Sequence, residues 1–585
     1  LTVKLFGIYS QDDDGPAAQG LISAYGLTDS NGNTVVANQS NCTLTGSTSG
    51  TPGAGTPATY RSICGVAPAI SQYAPSANTQ LNDNTRAFLA KSTGRIFNGK
   101  DGVQGYGLLR RFYHLHLAAD YEIPDTGLTL SSITSMNREA YSTLVDLDNW
   151  GSTAVPSSAA AGAPYFDYPF LIERRNSDFS QEVRLAFDNG GPLKATIGGS
   201  YLNGWVTSDL GGSVGSLTNV NASTAGKTQS RTKGAFFALS YKFFDKLTLN
   251  AEGRYQIDTL YAYAQPTGLT IPAGSTLLTP GFYSYGSLLA RASYKNFLPR
   301  VIAQYEFSPA LMAYASWSKG VNPGGFNTSF LTSPAATVRA AEAAGIRITV
   351  RPEKVTNYEI GIKGKLLDGR LRYALDGYYA QWRDQINQIA LALTDPDTGV
   401  PQLIAGTANT GNVNMKGIEF DASYAASDLI TLNAAASLND SDILSRADPT
   451  VSKLTGVFDF SGKEMPNTSK WSATAGIQFG GNVVGSDNAT WFARVDYSYK
   501  SGVWSNAANV VRTPNYNNVN IRVGGTVGPM SLDVFMNNVF NDSAYTSIGD
   551  QFLFSPGFAY TSTYSALIVG LREKRTVGVQ AKYKF

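Results

Sequence analysis

Apolar and polar residues alternate along many segments of this 585-residue chain. In segment 247–258 the apolar residues fall at 247, 249, 251, 255 and 257, and polar residues at 248, 250, 252, 254, 256 and 258. Segments 182–188, 430–439, 491–500 and 577–585 repeat this two-residue period. Because strand side chains point alternately to opposite faces, each segment predicts a strand with one apolar and one polar face.

The connections between these predicted strands are of two kinds that alternate along the chain. Tight turns are expected, from their Pro, Gly, Asn and Asp residues, at 123–125, 189–191, 244–246, 308–309, 367–369, 427–428 and 527–529. Long polar segments are expected near 11–105, 143–176, 208–230, 263–292, 321–350, 387–411, 444–466, 501–513 and 547–571. Short periplasmic turns opposite long extracellular loops are typical of outer-membrane barrels.

Several segments run longer than the five or six residues, on average, of strands in soluble sheets, and approach the roughly 9 to 11 of tilted spanning strands. Counting hairpins predicts an all-β transmembrane antiparallel barrel with about eighteen strands. We expect residues 1–585 to form one barrel domain, with 11–105 as a large extracellular loop. A soluble β-sandwich is the alternative, since its strands also alternate.

Composition narrows the function classes. Charged residues make up 15% of the chain, and the net charge of +2 without a basic cluster argues against a nucleic-acid partner. No apolar run approaches the roughly 18 residues of a transmembrane helix. A membrane location would therefore require a closed barrel, in which every strand finds its hydrogen-bond partners.

The two cysteines and the last strand give information about the cellular compartment of the protein. Cys42 and Cys64 lie in a polar Gly-, Ser- and Thr-rich segment, where an oxidising compartment would favour a disulfide; two free thiols are the alternative. The final strand carries Tyr583 and Phe585 on its apolar face. A C-terminal aromatic residue resembles the assembly signal of outer-membrane barrels, which the barrel assembly machinery reads.

Residues that could carry chemistry are few. His114 and His116 share a strand face, but with no third histidine we expect polar residues of the barrel interior rather than a metal site. No nucleophile motif or phosphate-binding loop is found in a suitable context, so we expect no enzyme activity, no metal and no cofactor. Carboxylates such as Asp258 and Asp496 alternate with Arg254 and Arg494, which predicts ion pairing.

Aromatic residues within the long segments are candidates for solute contact, because loops on a rigid scaffold often bind ligands. The alternative is that they pack the loops together. The candidates are Tyr165, Phe166, Tyr168, Phe282, Tyr285, Phe552 and Phe554.

Several motifs, in order along the chain, resemble those of TonB-dependent receptors. They are FSQEVRL at 179–185, YASWSKG at 314–320 followed by PGGFN at 323–327, PEKVTNYEIG at 352–361, KGIEF at 416–420 and NVFND at 538–542. Each motif is weakly specific alone, but together they cover most of the chain. The resemblance implies a Gram-negative outer-membrane receptor for energy-coupled uptake of a scarce solute, most often a ferric siderophore.

The resemblance also implies partners and missing parts. The expected partners are outer-membrane lipid and lipopolysaccharide, the barrel assembly machinery, an unidentified small-molecule substrate and the TonB energy-coupling complex. Such receptors carry an N-terminal plug, a TonB box and typically 22 strands. Residues 1–16 resemble the family's fifth strand, so the plug and first four strands are expected to precede this sequence. The alternatives are a passive porin of about eighteen strands and a structural or adhesion barrel that presents large loops to a protein partner.

Overall fold

The computed structural model describes residues 1–28, 32, 34–70, 81, 83–90, 96–97, 99–146, 169–212, 226–264, 269–271, 273, 278–327, 341, 346–394, 401–486, 488–553 and 563–584. Two short helices lie within these ranges, α1 Asp83–Leu89 and α2 Pro449–Thr455. No helix in the described ranges is long and apolar enough to cross a membrane.

Strands account for most of the described chain. In chain order they are β1 Thr2–Asp14, β2 Gln19–Ser23, β3 Leu27–Thr28, β4 Thr34–Val36, β5 Cys42–Ser47, β6 Pro57–Ser62, β7 Gly65–Val66, β8 Gly107–Ile123, β9 Leu128–Asp146, β10 Pro169–Asp188, β11 Leu193–Gly212, β12 Lys227–Phe243, β13 Leu247–Tyr263, β14 Leu269–Ile271, β15 Gly281–Tyr283, β16 Leu288–Ser308, β17 Leu311–Asn322, β18 Gly325–Phe326, β19 Thr349–Val350, β20 Glu353–Leu366, β21 Leu371–Thr394, β22 Pro401–Ala425, β23 Ile430–Arg446, β24 Trp471–Asn482, β25 Ala489–Lys500, β26 Val511–Arg512, β27 Tyr516–Val527, β28 Met530–Asn537, β29 Tyr545–Gln551, β30 Ala566–Leu571 and β31 Thr576–Tyr583.

Eighteen of these strands form one large antiparallel sheet, which confirms the predicted barrel class and strand number. Its registers run from β1 through β8, β9, β10, β11, β12, β13, β16, β17, β20, β21, β22, β23, β24, β25, β27 and β28 to β31. In the described registers, β1 pairs only with β8 and β31 only with β28. The sheet therefore has two strand edges with unused backbone donors and acceptors.

Short turns and long connections alternate around the sheet, so each kind lies at its own end. Every predicted tight turn joins two neighbouring strands, and one more short connection, between β24 and β25, was missed by the sequence analysis. At two turns, non-glycine residues adopt the left-handed conformation that the central residues of a type I′ turn need: Phe244 and Asp245 have φ of 49° and 57°, and Leu367 and Asp368 have 54° each. We call the two ends the turn end and the loop end.

One predicted loop was wrong. Residues 387–411 were expected to be a long loop, but β21 and β22 stay paired from Gln385 opposite Gly411 to Thr394 opposite Pro401. The Gly, Asp, Thr and Pro residues of this segment suggested a loop, yet a two-stranded ribbon can continue past the apolar band because its backbone groups bond to each other. A bulge at Asp384, with φ of 54°, marks where the ribbon leaves the regular register.

Side chains of the large sheet separate into an apolar and a polar face, as the alternation predicts. On the apolar face large side chains remain exposed, because no other part of the described chain covers them. Examples are Leu115, Phe179, Val183, Ile197, Phe237, Phe297, Ile360, Ile418, Val523 and Val579. Such a continuous exposed apolar surface is the arrangement that lipid requires around a barrel.

Cys42 and Cys64 form a disulfide with a Cα–Cα distance of 6.0 Å and a sequence separation of 22. The bond ties the start of the β5–β6 hairpin to the residue that precedes β7, within the connection between β1 and β8. A cross-link of this span restricts the unfolded chain, which is worth about 3 kcal/mol in the entropic view. The disulfide therefore stabilises a local unit at the loop end.

Replacing both cysteines by serine is expected to increase hydrogen exchange of the β5–β6 amides while the large sheet stays intact, because no sheet strand is part of the bridged segment. Hydrogen exchange read by mass spectrometry measures the first effect, and heat-modifiable gel migration of the full-length protein measures the second. Wild-type protein treated with a reductant is the matched control. Unchanged exchange in the hairpin, or loss of heat-modifiable migration, would contradict this assignment.

Candidate functional site

At the loop end, segments from four connections pack into one structure. We call residues 15–70, 447–470, 501–515, 538–553 and 563–575 the loop cap. Strands β2, β30 and β29 form a three-stranded sheet, and β7 pairs in parallel with β26. Ile22, Ile63, Val511 and Val569, all 4% exposed or less, share one apolar cluster although they come from three different connections. The cap is therefore held by its own small core.

Close backbone approach fixes the β5–β6 hairpin against α2. Asp448 caps the helix by accepting a hydrogen bond from the Val451 N–H at 3.2 Å, and Gly456 ends it with φ of 69°. A Cβ placed on Gly46 would lie 2.2 Å from the Lys453 carbonyl oxygen, so only glycine fits at this contact. The disulfide-bonded hairpin and the helix thus pack directly against each other.

Acidic groups lie together beneath this helix. Asp550 accepts a hydrogen bond from the Ser505 hydroxyl at 3.1 Å and lines a cavity of about 20 Å³, about the size of one water molecule, together with Asn506 and Tyr564. Burial raises the pKa of Asp550 to about 6, against the opposing hydrogen bonds from Asn506 and Ser505. Burial also raises the pKa of Asp448, against its hydrogen bond from Val451 and the charge of Arg446. The cap therefore contains carboxyl groups whose ionisation is unfavourable.

Glu464, elsewhere in the cap, shows the opposite shift. Burial acts to raise its pKa, but hydrogen bonds from Lys470 Nζ at 2.9 Å and Trp504 Nε1 at 2.8 Å outweigh it and hold the pKa below the usual value. This carboxylate joins the connection after β23 to the connection after β25 and is stable in its ionised form.

Below the cap, the polar face of the sheet carries ion pairs and hydrogen bonds. Arg494 donates to both carboxylate oxygens of Asp496, with a shortest distance of 2.7 Å, as the alternation predicts. Arg254 does not pair with Asp258; instead Gln256 lies between them, accepting from Arg254 and donating to Asp258. The wall is thus a polar surface, of the kind found inside transport barrels.

His114 and His116 lie on this polar wall, on β8. Their Nε2 and Nδ1 atoms are 2.8 Å apart, and Asn137 Oδ1 contacts the other nitrogen of His114. Phe6 stacks on His116 with ring centroids 5.1 Å apart. Within the described ranges, no group of three or more His, Cys, Asp or Glu residues is arranged to hold a metal.

The predicted loop aromatics occupy different environments. Phe282 and Tyr285 are 69% and 64% exposed at the loop end. Phe552 is only 4% exposed and packs on Tyr564 with ring centroids 4.7 Å apart, which corresponds to the loop-packing alternative. Residues 165, 166, 168, 554 and 585 lie outside the described residues, whereas Tyr583 lies on β31 and is 57% exposed.

The cluster of ionisable residues beneath α2 was not predicted from the sequence. Its members, Arg446, Asp448, Asp550 and Tyr564, are up to 118 positions apart, so no local pattern indicates that they meet. The glycine at position 46 and the helix N-cap at Asp448 are local signals, but they show only that a close contact and a helix start are possible.

An eighteen-stranded antiparallel sheet with an exposed apolar face, a polar inner wall and packed loops at one end defines an outer-membrane barrel. Residues 36–541 match the family model described as TonB dependent receptor-like, beta-barrel. The chain belongs to the TonB-dependent receptor family. Proteins of this family lie in the outer membrane of Gram-negative bacteria, and so does this one; they are transport receptors rather than enzymes.

Solved structures share the fold at low sequence identity. The ferric yersiniabactin uptake receptor FyuA from Yersinia pestis aligns with a TM-score of 0.58 and 14% identity, over 82% of this chain and 62% of that one. The siderophore receptor PiuA from Acinetobacter baumannii gives 0.55 and 14%, over 81% and 64%. The ferripyoverdine receptor of Pseudomonas aeruginosa gives 0.53 and 15%, over 100% and 62%. This chain therefore spans less than two thirds of each of these proteins.

The pKa of Asp550 predicts how the loop cap depends on pH. Its folded value of about 6 lies above the roughly 3.9 of an unfolded aspartate, so the contribution of Asp550 to cap stability is fully present below about pH 4 and about 1–3 kcal/mol is lost as the pH rises through 6. Asp550→Asn removes the ionisation, and we expect it to stabilise the cap at pH 7.5. Hydrogen exchange of cap amides at pH 5 and 7.5, corrected for intrinsic rates, measures the effect.

Asp459→Asn is the matched control, because Asp459 is an exposed carboxylate of the same cap whose pKa is lowered by hydrogen bonds from Ser461. The control is expected to keep the wild-type pH dependence. Equal cap protection at both pH values in the wild type, or an unchanged dependence in Asp550→Asn, would show that Asp550 is not the controlling group.

Proposed function

We propose that this protein takes up a scarce solute, a ferric siderophore or a similar metal chelate, across the outer membrane in a TonB-coupled process. The loop end faces the extracellular medium and the turn end the periplasm. The observation that carries the proposal is the family match over 36–541 together with a polar inner wall beneath a packed loop cap. The chelate class is supported by the siderophore receptors that share the fold.

The two sheet edges support a further part of this proposal. Strands β1 and β31 each have one registered neighbour, and unpaired backbone groups are costly in lipid. We propose that four more strands close the barrel between them, which gives the 22 strands typical of plugged transporters, and that a plug domain occupies the interior. The shorter span relative to the three solved receptors agrees with this.

In this proposal the solute first meets the loop end and then moves along the polar wall when the plug rearranges. Binding alone shifts a conformational equilibrium only by the difference in affinity between the two states, so release of a tightly held solute needs external work. The TonB complex would supply that work from the inner membrane. No bond of the solute has to be made or broken.

Uptake assays test the coupling. Cells that carry the full-length receptor, a receptor deletion or a tonB deletion are supplied with ⁵⁵Fe-labelled catecholate, hydroxamate and carboxylate chelates. We expect accumulation of at least one chelate to be lost in both deletions. Accumulation of every chelate without TonB, or a steady single-channel conductance of the purified full-length protein, would support the passive porin instead.

The exposed aromatics Phe282 and Tyr285 are proposed to contact the solute. Replacing both by alanine removes two exposed rings, and we expect about tenfold weaker solute binding, since an aromatic contact contributes about 0.5–1.5 kcal/mol. Phe244→Ala is the matched control, because Phe244 is 92% exposed but lies at the turn end. Equal losses in both variants, or none in either, would remove these residues from the site.

A further inference from the structure

A basic groove lies on the outer surface of the barrel, near the loop end of strands β8 to β12. It has a volume of about 530 Å³, and its lining includes Arg111, Arg138, Arg175, Lys227, Tyr113 and Trp205. These four cations come from four different strands, β8, β9, β10 and β12. We call this set the outer groove.

The strand registers place the groove on the lipid-facing side. Arg111 lies directly opposite Ala140 on β9, and Ala140 lies opposite Arg175 on β10. Arg175 lies opposite Thr207 on β11, which in turn lies opposite Lys227 on β12. Because residues directly opposite each other point to the same side, all of them share one face of the sheet. Four positions further along β8, on the same face, lies Leu115, which is 46% exposed. The face that carries the groove is therefore the apolar face, not the inner wall.

The position along the strands sets the depth in the membrane. On β10, Arg175 lies near the loop end, and the exposed apolar residues Phe179 and Val183 follow it toward the turn end. A cation on a barrel's lipid face is strongly destabilising at the bilayer midplane but is tolerated near the interface with water. Tyr113 and Trp205 are also typical of the interface. The groove therefore lies at the headgroup level of the leaflet on the loop side.

The groove cations have no carboxylate partner among the described residues. Lys227 Nζ lies 4.7 Å from the Trp205 ring centroid, and the Arg175 guanidinium carbon lies 5.2 Å from that of Phe97. Glu139 borders the groove, but its carboxylate binds Arg110 and Asn176. The groove thus concentrates positive charge that nothing in the described part of the protein neutralises.

Elsewhere on the outer face of the barrel, some cations are neutralised by a carboxylate and others are not. On the far side of the sheet, Asp440 accepts ion pairs from Lys416 at 3.4 Å and from Lys470 at 2.9 Å. Asp440 on β23 lies directly opposite Lys416 on β22. The next pair on the same face is Ile418 and Leu438, so Asp440 and Lys416 lie on the apolar face. Lys233, Lys295 and Lys354 also face outward and have no carboxylate partner among the described residues. What distinguishes the outer groove is therefore that four cations line one cavity.

We propose that the outer groove binds the phosphorylated headgroup of lipopolysaccharide. Arginine forms paired hydrogen bonds with phosphate, and four cations within five consecutive strands match a ligand with more than one phosphate better than a phospholipid with one. The acyl chains would then lie along the apolar side chains below the groove. This assignment rests on the proposed extracellular orientation of the loop end and does not depend on the cargo.

Titration of the full-length receptor in detergent with purified bisphosphorylated lipid A tests the assignment, with monophosphorylated lipid A and phosphatidylglycerol as comparison ligands. Neutralising the groove is expected to raise the Kd for bisphosphorylated lipid A about tenfold or more, since each interfacial cation contributes on the order of 1 kcal/mol toward an anionic headgroup. The groove variant combines Arg111→Gln, Arg138→Gln, Arg175→Gln and Lys227→Gln.

The matched control removes four positive charges at the turn end. It combines Lys194→Gln, Lys242→Gln, Lys246→Gln and Lys365→Gln. We expect the Kd of this control for bisphosphorylated lipid A to change less than about twofold. Heat-modifiable migration verifies folding, and the single variants Arg111→Gln and Lys227→Gln give a second reading if the fourfold variant does not fold. Equal binding by groove variant and wild type would overturn the proposal. So would phosphatidylglycerol binding as tightly as lipid A, which would mean a general anionic-lipid surface.

Discussion

The backbone hydrogen bond in lipid is the constraint on which the rest of this structure depends. A strand in the membrane has no water to bond with, so each N–H and C=O must meet a neighbouring strand. Eighteen strands satisfy this condition through continuous antiparallel registers. The condition is left unmet only along one side of β1 and one side of β31, within the described registers. Those two edges are therefore the part of the sheet where we propose that further strands join.

The same registers decide where chemistry can lie. Because alternate residues face opposite sides, Arg494 and Asp496 meet on the inner wall, whereas Arg111 and Arg175 lie on the lipid side. The registers also bring the long connections to one end, where they pack into the loop cap. In the cap, carboxyl groups of remote connections, such as Asp550, become partly buried. The inner wall, the cap and the outer groove are thus consequences of one pairing pattern.

The sequence predicted the class of fold well, because two-residue alternation and turn chemistry are local signals. The strand number and the turns at 244–246 and 367–369 followed from them. It failed at 387–411, where two paired strands extend into the segment that was expected to be a loop. It also missed the group around Asp448 and Asp550, which depends on contacts between remote connections. Phe552 was identified as a loop aromatic, but its burial depends on packing that no local pattern encodes.

The central claim is that this sheet is the larger part of a plugged, energy-coupled barrel. The most direct measurement is the N-terminal sequence and intact mass of the mature protein isolated from its outer membrane. We predict residues before Leu1 in sufficient number for four strands, a plug domain and a TonB box. A mature protein that starts at Leu1 would contradict the account, because eighteen strands would then have to close on themselves and leave no plug for TonB to move.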